Sequence, residues 1–296
     1  MDFFSKQFYD FARSVTPESR LRLAPTPSGF LHLGNALNFT LNWLAAKYCG
    51  GLAPSESAAK IYLRIDDLDS DRNRTEYLDD IFDTLQWLKL DWDSNPDQLT
   101  VPQSPIHQST HLHRYFTILE QLRERDLLFA CRKSRRDLEP YFNVYPPEFR
   151  AQGLNLDTPD VAWRIKTPPD FPLPDFIVRR RDGIPAYQVA SFSDDLDYGI
   201  THIIRGADLK DSTAAQCFLA QALSKDIFLK INFLHHPLVL EEAGEKLSKS
   251  AGSASLKAMR QSGKGPEQVF QTLGKWLELE GDSAQALLSS LRERLR

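Results

Sequence analysis

The chain has few of the features that mark secreted or membrane proteins. It contains three cysteines in 296 residues, and no two of them form a Cys-x-x-Cys pair. Scattered cysteines exclude a disulfide framework and indicate a reducing compartment, so we expect a cytoplasmic protein. No run approaches the roughly 20 apolar residues that a membrane-spanning helix needs, and the N-terminal residues lack the apolar stretch of a signal peptide. No membrane partner is therefore expected.

The composition fits a globular protein and leaves its partners open. Apolar residues make up 42% of the chain and charged residues 26%, with a formal net charge of −4. These fractions are ordinary, and the length allows one large domain or two moderate ones. A slightly acidic total does not exclude nucleic acid, because local patches decide such binding.

The N-terminal half alternates strand and helix patterns. A strand is predicted over Leu21–Ala24, and a helix over Gly34–Tyr48, where apolar residues recur every three to four positions. The segment KIYLRIDDLD predicts a second strand, and two helices follow it, the later one over Thr110–Arg125. Strand, helix, strand, helix predicts an α/β fold with a parallel sheet wrapped by helices.

The pattern changes between Leu127 and Asp175, where the chain is Pro-rich, basic at its start and weakly periodic. This predicts a small α+β subdomain inserted between two halves of the sheet. After it, FIVRRRDGIPAYQVA predicts a hairpin turning at Asp182-Gly183, followed by a strand in THIIRGADL and a helix over Ser212–Leu223. The predicted regions are 1–126, 127–175, 176–240 and a KLSKS loop with a short helical segment over 241–296.

Two segments are candidates for binding phosphate. In RLAPTPSGFLHLGN, a helix N-terminus offers unpaired N–H donors, Gly34 allows close approach to the backbone, and His32 can stabilise charge on a pentavalent phosphorus. In KLSKS, two lysines three apart can clamp a triphosphate and follow its charge into the transition state. The alternatives are that His32 and Asn35 only cap a helix, and that KLSKS is a solvated basic loop.

Five segments resemble the glutamyl branch of the class I aminoacyl-tRNA synthetases. HLGN and KLSKS resemble the HIGH and KMSKS signatures, and RLAPTPSGFLHLGN resembles the opening RFAPSPTGxLHxG. LRIDDLD resembles the LRIEDTD segment, AYQVA the tyrosine-bearing strand, and HIIRGADL the HVIRGxD strand. The segments follow the family's order from residue 21 to residue 250. The resemblance implies a Rossmann-like catalytic domain that forms an aminoacyl-adenylate.

The resemblance also implies which residues bind the substrates. Arg22 and Arg205 would face the two carboxylates of glutamate, where planar guanidinium groups allow bidentate contact. Asp66 stands where the family has glutamate and would hold the substrate ammonium, through a closer pocket or a bridging water. The other implied glutamate-binding residues are Ala24, Thr26 and Tyr187. The implied ATP-binding residues are His32, Gly34, Asn35, Lys246, Ser248 and Lys249, of which His32, Lys246 and Lys249 are catalytic.

The implied reaction joins glutamate to ATP, bound with Mg²⁺, and then passes the glutamyl group to RNA. Only 46 residues follow Ser250, too few for the anticodon-binding domain of a glutamyl-tRNA synthetase. The resemblance therefore extends to the family of glutamyl-queuosine tRNA(Asp) synthetases, which activate L-glutamate without tRNA and attach it to queuosine at the wobble position of tRNA(Asp). The expected partners are L-glutamate, ATP and tRNA(Asp) carrying queuosine, bound by a monomer. The alternatives are transfer to tRNA(Glu) or another acceptor, and a non-catalytic RNA-binding paralogue.

Two regions depart from the resemblance. Many family members hold zinc in the insertion with a Cys-x-Cys pair and a later tyrosine and cysteine. Here Cys131 is followed by Arg132 and Lys133, and no tyrosine of the insertion can replace a thiolate, so no zinc is predicted. The basic run Arg132–Arg136 could form ion pairs within the subdomain, contact tRNA phosphates, or be a solvated charged face. The first 20 residues precede the resemblance and predict an amphipathic helix that packs on the sheet or forms a dimer contact.

Overall fold

A computed structural model describes residues 3–49, 58–98, 101–142, 144–238 and 255–296. The chain divides into two compact units, the first comprising residues 1–109, 199–209 and 231–296 and the second residues 110–198 and 210–230. Among the described residues, no helix is long and apolar enough to cross a membrane.

The first unit is built on parallel strands with helices packed against them. Its elements are α1 (Phe3–Ser14), β1 (Arg20–Leu23), α2 (Leu33–Tyr48), β2 (Lys60–Ile65), α3 (Thr75–Trp87), β3 (Ile106–His107), β7 (His202–Gly206), β8 (Asn232–His236), α8 (Leu256–Gln261), α9 (Glu267–Leu277) and α10 (Ala284–Leu295). Strand β2 pairs in parallel with β1 and β3, and β7 pairs in parallel with β8. The Thr201 N–H donates to the Arg20 carbonyl, 2.9 Å away, where β7 and β1 begin, so these two strands run side by side. The predicted parallel sheet is confirmed.

Helix α1 supplies aromatic side chains to the core of this unit. Phe4, Phe8, Tyr9 and Phe11 are buried, and the helix packs against α2, α9 and β8. Burying a large apolar side chain stabilises a fold by about 1.5–3 kcal/mol, so this helix contributes substantially to the first unit. Of the two roles predicted for the N-terminal residues, packing on the sheet is the one observed.

The second unit contains an antiparallel sheet and three longer helices. Its elements are α4 (Leu112–Glu124), β4 (Leu128–Cys131), α5 (Arg135–Leu138), β5 (Ala162–Ile165), β6 (Ile177–Arg179), α6 (Tyr187–Asp197) and α7 (Lys210–Ala222). Strand β5 pairs antiparallel with both β4 and β6. The elements β4, α5 and β5 lie within the predicted insertion, 127–175, whereas β6 of the same sheet lies just beyond it, and the bounds of the insertion stay a prediction.

The segment after β6 differs from the predicted hairpin. The turn at Asp182-Gly183 forms as predicted, with Gly183 at a φ of 89°. Only an isolated bridge from Arg179 to Pro185 represents the second strand, because proline has no N–H to donate to a ladder. Helix α6 then begins at Tyr187. The prediction that Tyr187 lies on a strand is wrong.

Candidate active site

Three charged side chains lie at the carboxyl ends of strands in the first unit. Arg22 is the penultimate residue of β1, Arg205 is the penultimate residue of β7, and Asp66 directly follows β2. All three are buried, with exposures of 4%, 3% and 6% respectively. Ligands of open α/β sheets bind outside the carboxyl ends of the strands. The fold therefore brings two cations and one anion to the edge where a ligand is expected.

Asp66 is oriented by a buried ion pair with Arg64. The Arg64 Nε is 2.7 Å from Asp66 Oδ1, and its Nη2 is 3.3 Å from Oδ2. Such a fork fixes the plane of the Asp66 carboxylate. Arg64 was not among the predicted site residues, although residues two apart on a strand share a face and LRIDDLD contains the pair.

The loop after β1 carries Ala24 and Thr26 and is tied to the end of β2. The Asp66 N–H donates to the Pro25 carbonyl at 2.9 Å. Ala24 is half-buried and Thr26 is exposed. This bond keeps the loop beside the carboxylate of Asp66.

The start of α2 holds three of the predicted ATP-binding residues. His32 is the N-cap residue, Gly34 lies in the first turn, and the His32 N–H donates to Asn35 Oδ1 at 3.0 Å. The Asn35 oxygen therefore caps the helix, as one alternative predicted. The same helix end carries the partial positive charge that favours phosphate, so capping and anion binding are compatible here.

The chain beyond the KLSKS segment returns to this loop. Ser255 forms an antiparallel bridge with His32, and the Leu256 N–H donates to the Leu31 carbonyl at 2.8 Å. The structure thus joins His32 to the residues that directly precede α8. The predicted ATP-binding residues Lys246, Ser248 and Lys249 lie outside the described residues and stay predictions.

A buried ion pair anchors the His32 loop to two helices. Asp80 Oδ2, on α3, accepts the Leu31 N–H at 2.9 Å, and Asp80 Oδ1 accepts from Arg260 Nη2, on α8, at 2.5 Å. Arg260 Nη1 also donates to Thr84 Oγ1 at 2.7 Å. One carboxylate therefore links the His32 loop, α3 and α8. No motif or periodicity distinguishes Asp80 from its acidic neighbours, so Asp80 was not among the predicted site residues.

Comparison with known proteins identifies the family. The model for the catalytic domain of class I tRNA synthetases (E and Q) matches residues 18–143 and 154–285. The chain belongs to this family. All three strand-end charges and the His32 loop fall within the matched residues.

Curated relatives and solved structures of this synthetase family cover most of the chain. The glutamyl-Q tRNA(Asp) synthetase of Synechococcus sp. (strain CC9605) is 36% identical over 286 residues, covering 93% of this chain and 89% of the relative. The glutamate–tRNA ligase of Synechococcus sp. (strain JA-2-3B'a(2-13)) is 32% identical over 302 residues, covering 90% of this chain and 59% of the ligase. The crystal structure of glutamate-tRNA synthetase from Elizabethkingia anophelis matches with a TM-score of 0.71 at 24% identity, covering 93% of this chain and 65% of that one, and shows the same fold.

In this synthetase, Asp67 locks the segment that follows β2. Its carboxylate accepts hydrogen bonds from the Ser109 N–H and hydroxyl, both at 2.8 Å, and lies 3.0 Å from His107 Nδ1. Burial alone raises the pKa of this carboxyl group, but the bonds from His107 and Ser109 outweigh burial and lower the pKa. Asp67 therefore fixes the backbone next to Asp66 in its ionised form.

The Asp67 contacts predict a specific acid sensitivity. Because the pKa in the folded state lies below the unfolded value of about 3.8, the carboxylate stabilises the fold above that pH and loses its contribution as pH falls through the lowered pKa. We expect Asp67→Asn to reduce the fall in unfolding free energy below about pH 4. Urea denaturation at a series of pH values measures this. Circular dichroism at pH 7 is the control for folding, and parallel pH curves for the two proteins would contradict the prediction.

Tyr187 lies in the second unit, as the first residue of α6, with an exposure of 36%. Its neighbour Gln188 donates from Nε2 to the Ser212 hydroxyl at 3.3 Å, which joins α6 to α7. The role of Tyr187 in binding glutamate stays a prediction.

The side chains of the insertion do not fit the zinc site that the resemblance implies. Structural zinc takes four ligands, mostly thiolates and imidazoles. The insertion offers the Cys131 thiol and the Tyr145 hydroxyl, 3.2 Å apart, whereas the second position of the Cys-x-Cys pair is Lys133. Within the described ranges, no three His, Cys, Asp or Glu side chains are arranged to hold a metal ion.

Proposed function

We propose that this synthetase activates L-glutamate with ATP and transfers the glutamyl group to the queuosine base of tRNA(Asp). The observation that supports glutamate as the substrate is the combination of charged side chains at the strand ends. Glutamate carries two carboxylates and one ammonium, and Arg22, Arg205 and Asp66 offer two cations and one anion in return. The names of the relatives, such as the glutamyl-Q tRNA(Asp) synthetase of Synechococcus, support tRNA(Asp) as the acceptor of the glutamyl group.

In this proposal each of the three charged side chains binds one charged group of glutamate. Arg205 binds the side-chain carboxylate and so selects glutamate over the neutral glutamine, while Arg22 binds the other carboxylate. The Arg205 guanidinium lies 5.0 Å from the centre of the Phe233 ring, a contact that helps to hold its plane. Asp66, held by Arg64, accepts the substrate ammonium. Ala24 and Thr26, on the loop after β1, complete the pocket in the first unit, and the role of Tyr187 rests on the family resemblance alone.

In the first step, an oxygen of the glutamate α-carboxylate attacks the α-phosphorus of ATP. A carboxyl–phosphate bond forms, the bond to the β-phosphate oxygen breaks, and pyrophosphate leaves with its electron pair. The protein acts by positioning and electrostatics, with His32, Lys246 and Lys249 stabilising the phosphate charge and Gly34, Asn35 and Ser248 completing the nucleotide site. Mg²⁺ enters with ATP as part of the substrate.

In the second step, a nucleophile of the queuosine base attacks the carbonyl carbon of glutamyl-adenylate. The bond to phosphate breaks, and AMP leaves while the glutamyl group stays on the RNA. Neither step requires a covalent intermediate with the protein. Reading of the RNA depends on its shape and on splayed bases, which proteins recognise by stacking and edge contacts.

Exchange of labelled pyrophosphate into ATP tests the first step. We expect exchange that depends on glutamate and proceeds without tRNA, with no exchange when glutamine replaces glutamate. Exchange that required tRNA(Glu), or that ran only with glutamine, would contradict the proposal. Lys249→Ala is expected to abolish exchange, and a Lys249→Ala protein with unchanged biological activity would favour the non-catalytic alternative.

Labelled glutamate and two tRNAs test the acceptor. We expect label in the anticodon loop of queuosine-bearing tRNA(Asp) and none at the 3′ end of tRNA(Glu). Matched tRNA(Asp) without queuosine is the control. Label at a 3′ end would assign the activity of a glutamate–tRNA ligase instead.

A further inference from the structure

The insertion contains a buried cluster that the proposed reaction does not use. Cys131, the last residue of β4, is 0% exposed and packs with Phe129, Leu138 and Tyr145. The ring of Phe149 packs against this cluster. The cluster joins the end of the strand to the irregular chain that follows α5.

Hydrogen bonds fix the thiol and the phenol in this cluster. The Tyr145 hydroxyl lies 3.2 Å from Cys131 Sγ and 3.0 Å from the Phe149 carbonyl oxygen, and its one proton is shared between these two acceptors. The Lys133 N–H donates to Cys131 Sγ at 3.3 Å. Gln152 Nε2 donates to the Tyr145 oxygen at 2.9 Å, and the Arg132 N–H donates to Gln152 Oε1 at 3.0 Å. The sulfur is therefore an acceptor in a network with defined geometry.

Cations lie over two of the three aromatic rings of the cluster, those of Tyr145 and Phe149. The Lys133 ammonium is 4.5 Å from the centre of the Phe149 ring, and the Arg164 guanidinium is 4.1 Å from the centre of the Tyr145 ring. The two rings are themselves 5.8 Å apart. Cation–π contacts at such distances are attractive, more so when partly desolvated. Cys131, Lys133, Tyr145 and Phe149 thus converge on one point from two separate chain segments.

We propose that the insertion is a metal-free module, in which the Tyr145–Cys131 hydrogen bond and the Lys133–Phe149 contact perform the cross-linking that four zinc ligands perform in related insertions. Only two of these four side chains can donate to zinc. Lys133, at the second position of the Cys-x-Cys pair, is a cation, and Phe149 is a phenyl ring, so neither can act as a zinc ligand.

The protonation states of Tyr145 and Cys131 agree with a hydrogen bond that forms without metal. Burial and the hydrogen bond to Cys131 raise the pKa of Tyr145, so the phenol keeps its proton and remains a donor. Burial alone raises the pKa of Cys131, but the hydrogen bonds from Tyr145 and its neighbours outweigh burial and lower the pKa, which favours the sulfur as an acceptor.

The metal content of the full-length chain tests the proposal directly. We expect elemental analysis, after dialysis against buffer without chelator, to find well below one zinc per chain. We also expect the thermal midpoint to be the same with and without a strong chelator. One zinc per chain, with a midpoint that falls in chelator, would overturn the proposal.

Two added thiols test whether these four side chains converge closely enough to hold a metal ion. Lys133→Cys combined with Phe149→Cys gives three thiols beside Tyr145, so we expect this variant to bind one zinc per chain and to show the thiolate-to-metal absorption of cobalt. A folded double variant that binds no metal would overturn the convergence.

A third comparison measures the ring contact without any metal. Phe149→Leu removes the Lys133 contact and is expected to lower the urea midpoint. Phe142→Leu is the matched control, because Phe142 is 91% exposed. Equal midpoints for the two variants would overturn the structural role of the Lys133–Phe149 contact.

Discussion

Replacing Arg205 with lysine is expected to lower kcat/KM for glutamate in pyrophosphate exchange by about 100-fold, equivalent to about 2.7 kcal/mol. Arg205 is 3% exposed, so its guanidinium acts in a site with little water to screen it. Lysine keeps the charge but loses the planar fork that matches a carboxylate. The expected fall in kcat/KM therefore measures the contribution of the planar guanidinium geometry rather than that of the positive charge.

Whether the fall in kcat/KM comes from KM or from kcat is a second test of the role of Arg205. If Arg205 binds the side-chain carboxylate equally in the ground and transition states, KM for glutamate rises while kcat changes little. KM for ATP is expected to be unchanged. Arg20→Lys is the matched control, because Arg20 is an exposed residue of the same strand as Arg22 and has no place in the proposed pocket. An unchanged KM for glutamate in Arg205→Lys would exclude Arg205 from amino-acid recognition.

The strand-end charges could be predicted because they lie in short segments with regular periodicity. Alternation in KIYLRI predicts the strand, and the position of Asp66 after its last residue predicts the sheet edge. Arg22 and Arg205 also lie next to the ends of their strands, but they were implied as site residues by the family resemblance of the segments that contain them. Periodicity was therefore sufficient to place Asp66 at a strand end, whereas the resemblance was needed for the roles of all three charges.

The contacts that anchor the His32 loop, in contrast, depend on segments far apart in the chain. Arg260 is 180 residues from Asp80, and Ser255 is far from its partner His32. No local pattern encodes a pairing across such a distance, because side-chain partners on separate helices follow from packing. The Tyr187 segment failed for a related reason. This segment has too few apolar residues for their spacing to distinguish a strand from a helix. Pro185 has no N–H to donate, so it ends the hydrogen bonding between the strands.

Replacing Asp80 with alanine is expected to lower the free energy of unfolding by about 3–5 kcal/mol. The Asp80 side chain is 1% exposed and that of Arg260 is 15% exposed, so removing the carboxylate leaves a largely buried cation without its ion-pair partner. The Leu31 N–H loses its acceptor in the same variant. Urea denaturation measures the change.

The same helix provides a matched control. Asp83 is three residues further along α3 and lies 4.0 Å from the same Arg260, but its side chain is 65% exposed. Asp83→Ala changes helix propensity in the same way, yet an exposed pair contributes only about 0–1 kcal/mol. Equal destabilisation by Asp80→Ala and Asp83→Ala would show that burial of the pair is unimportant.

A double variant separates the ion pair from the uncompensated charge. Arg260→Met combined with Asp80→Ala removes both charges, so we expect it to be destabilised by less than the sum of the two single variants. Exchange activity then tests the link to the His32 loop. Because the double variant still lacks the acceptor of the Leu31 N–H, its activity at saturating substrate is expected to stay low even where the protein is fully folded. Full activity in that variant would mean that Asp80 stabilises the fold without positioning His32.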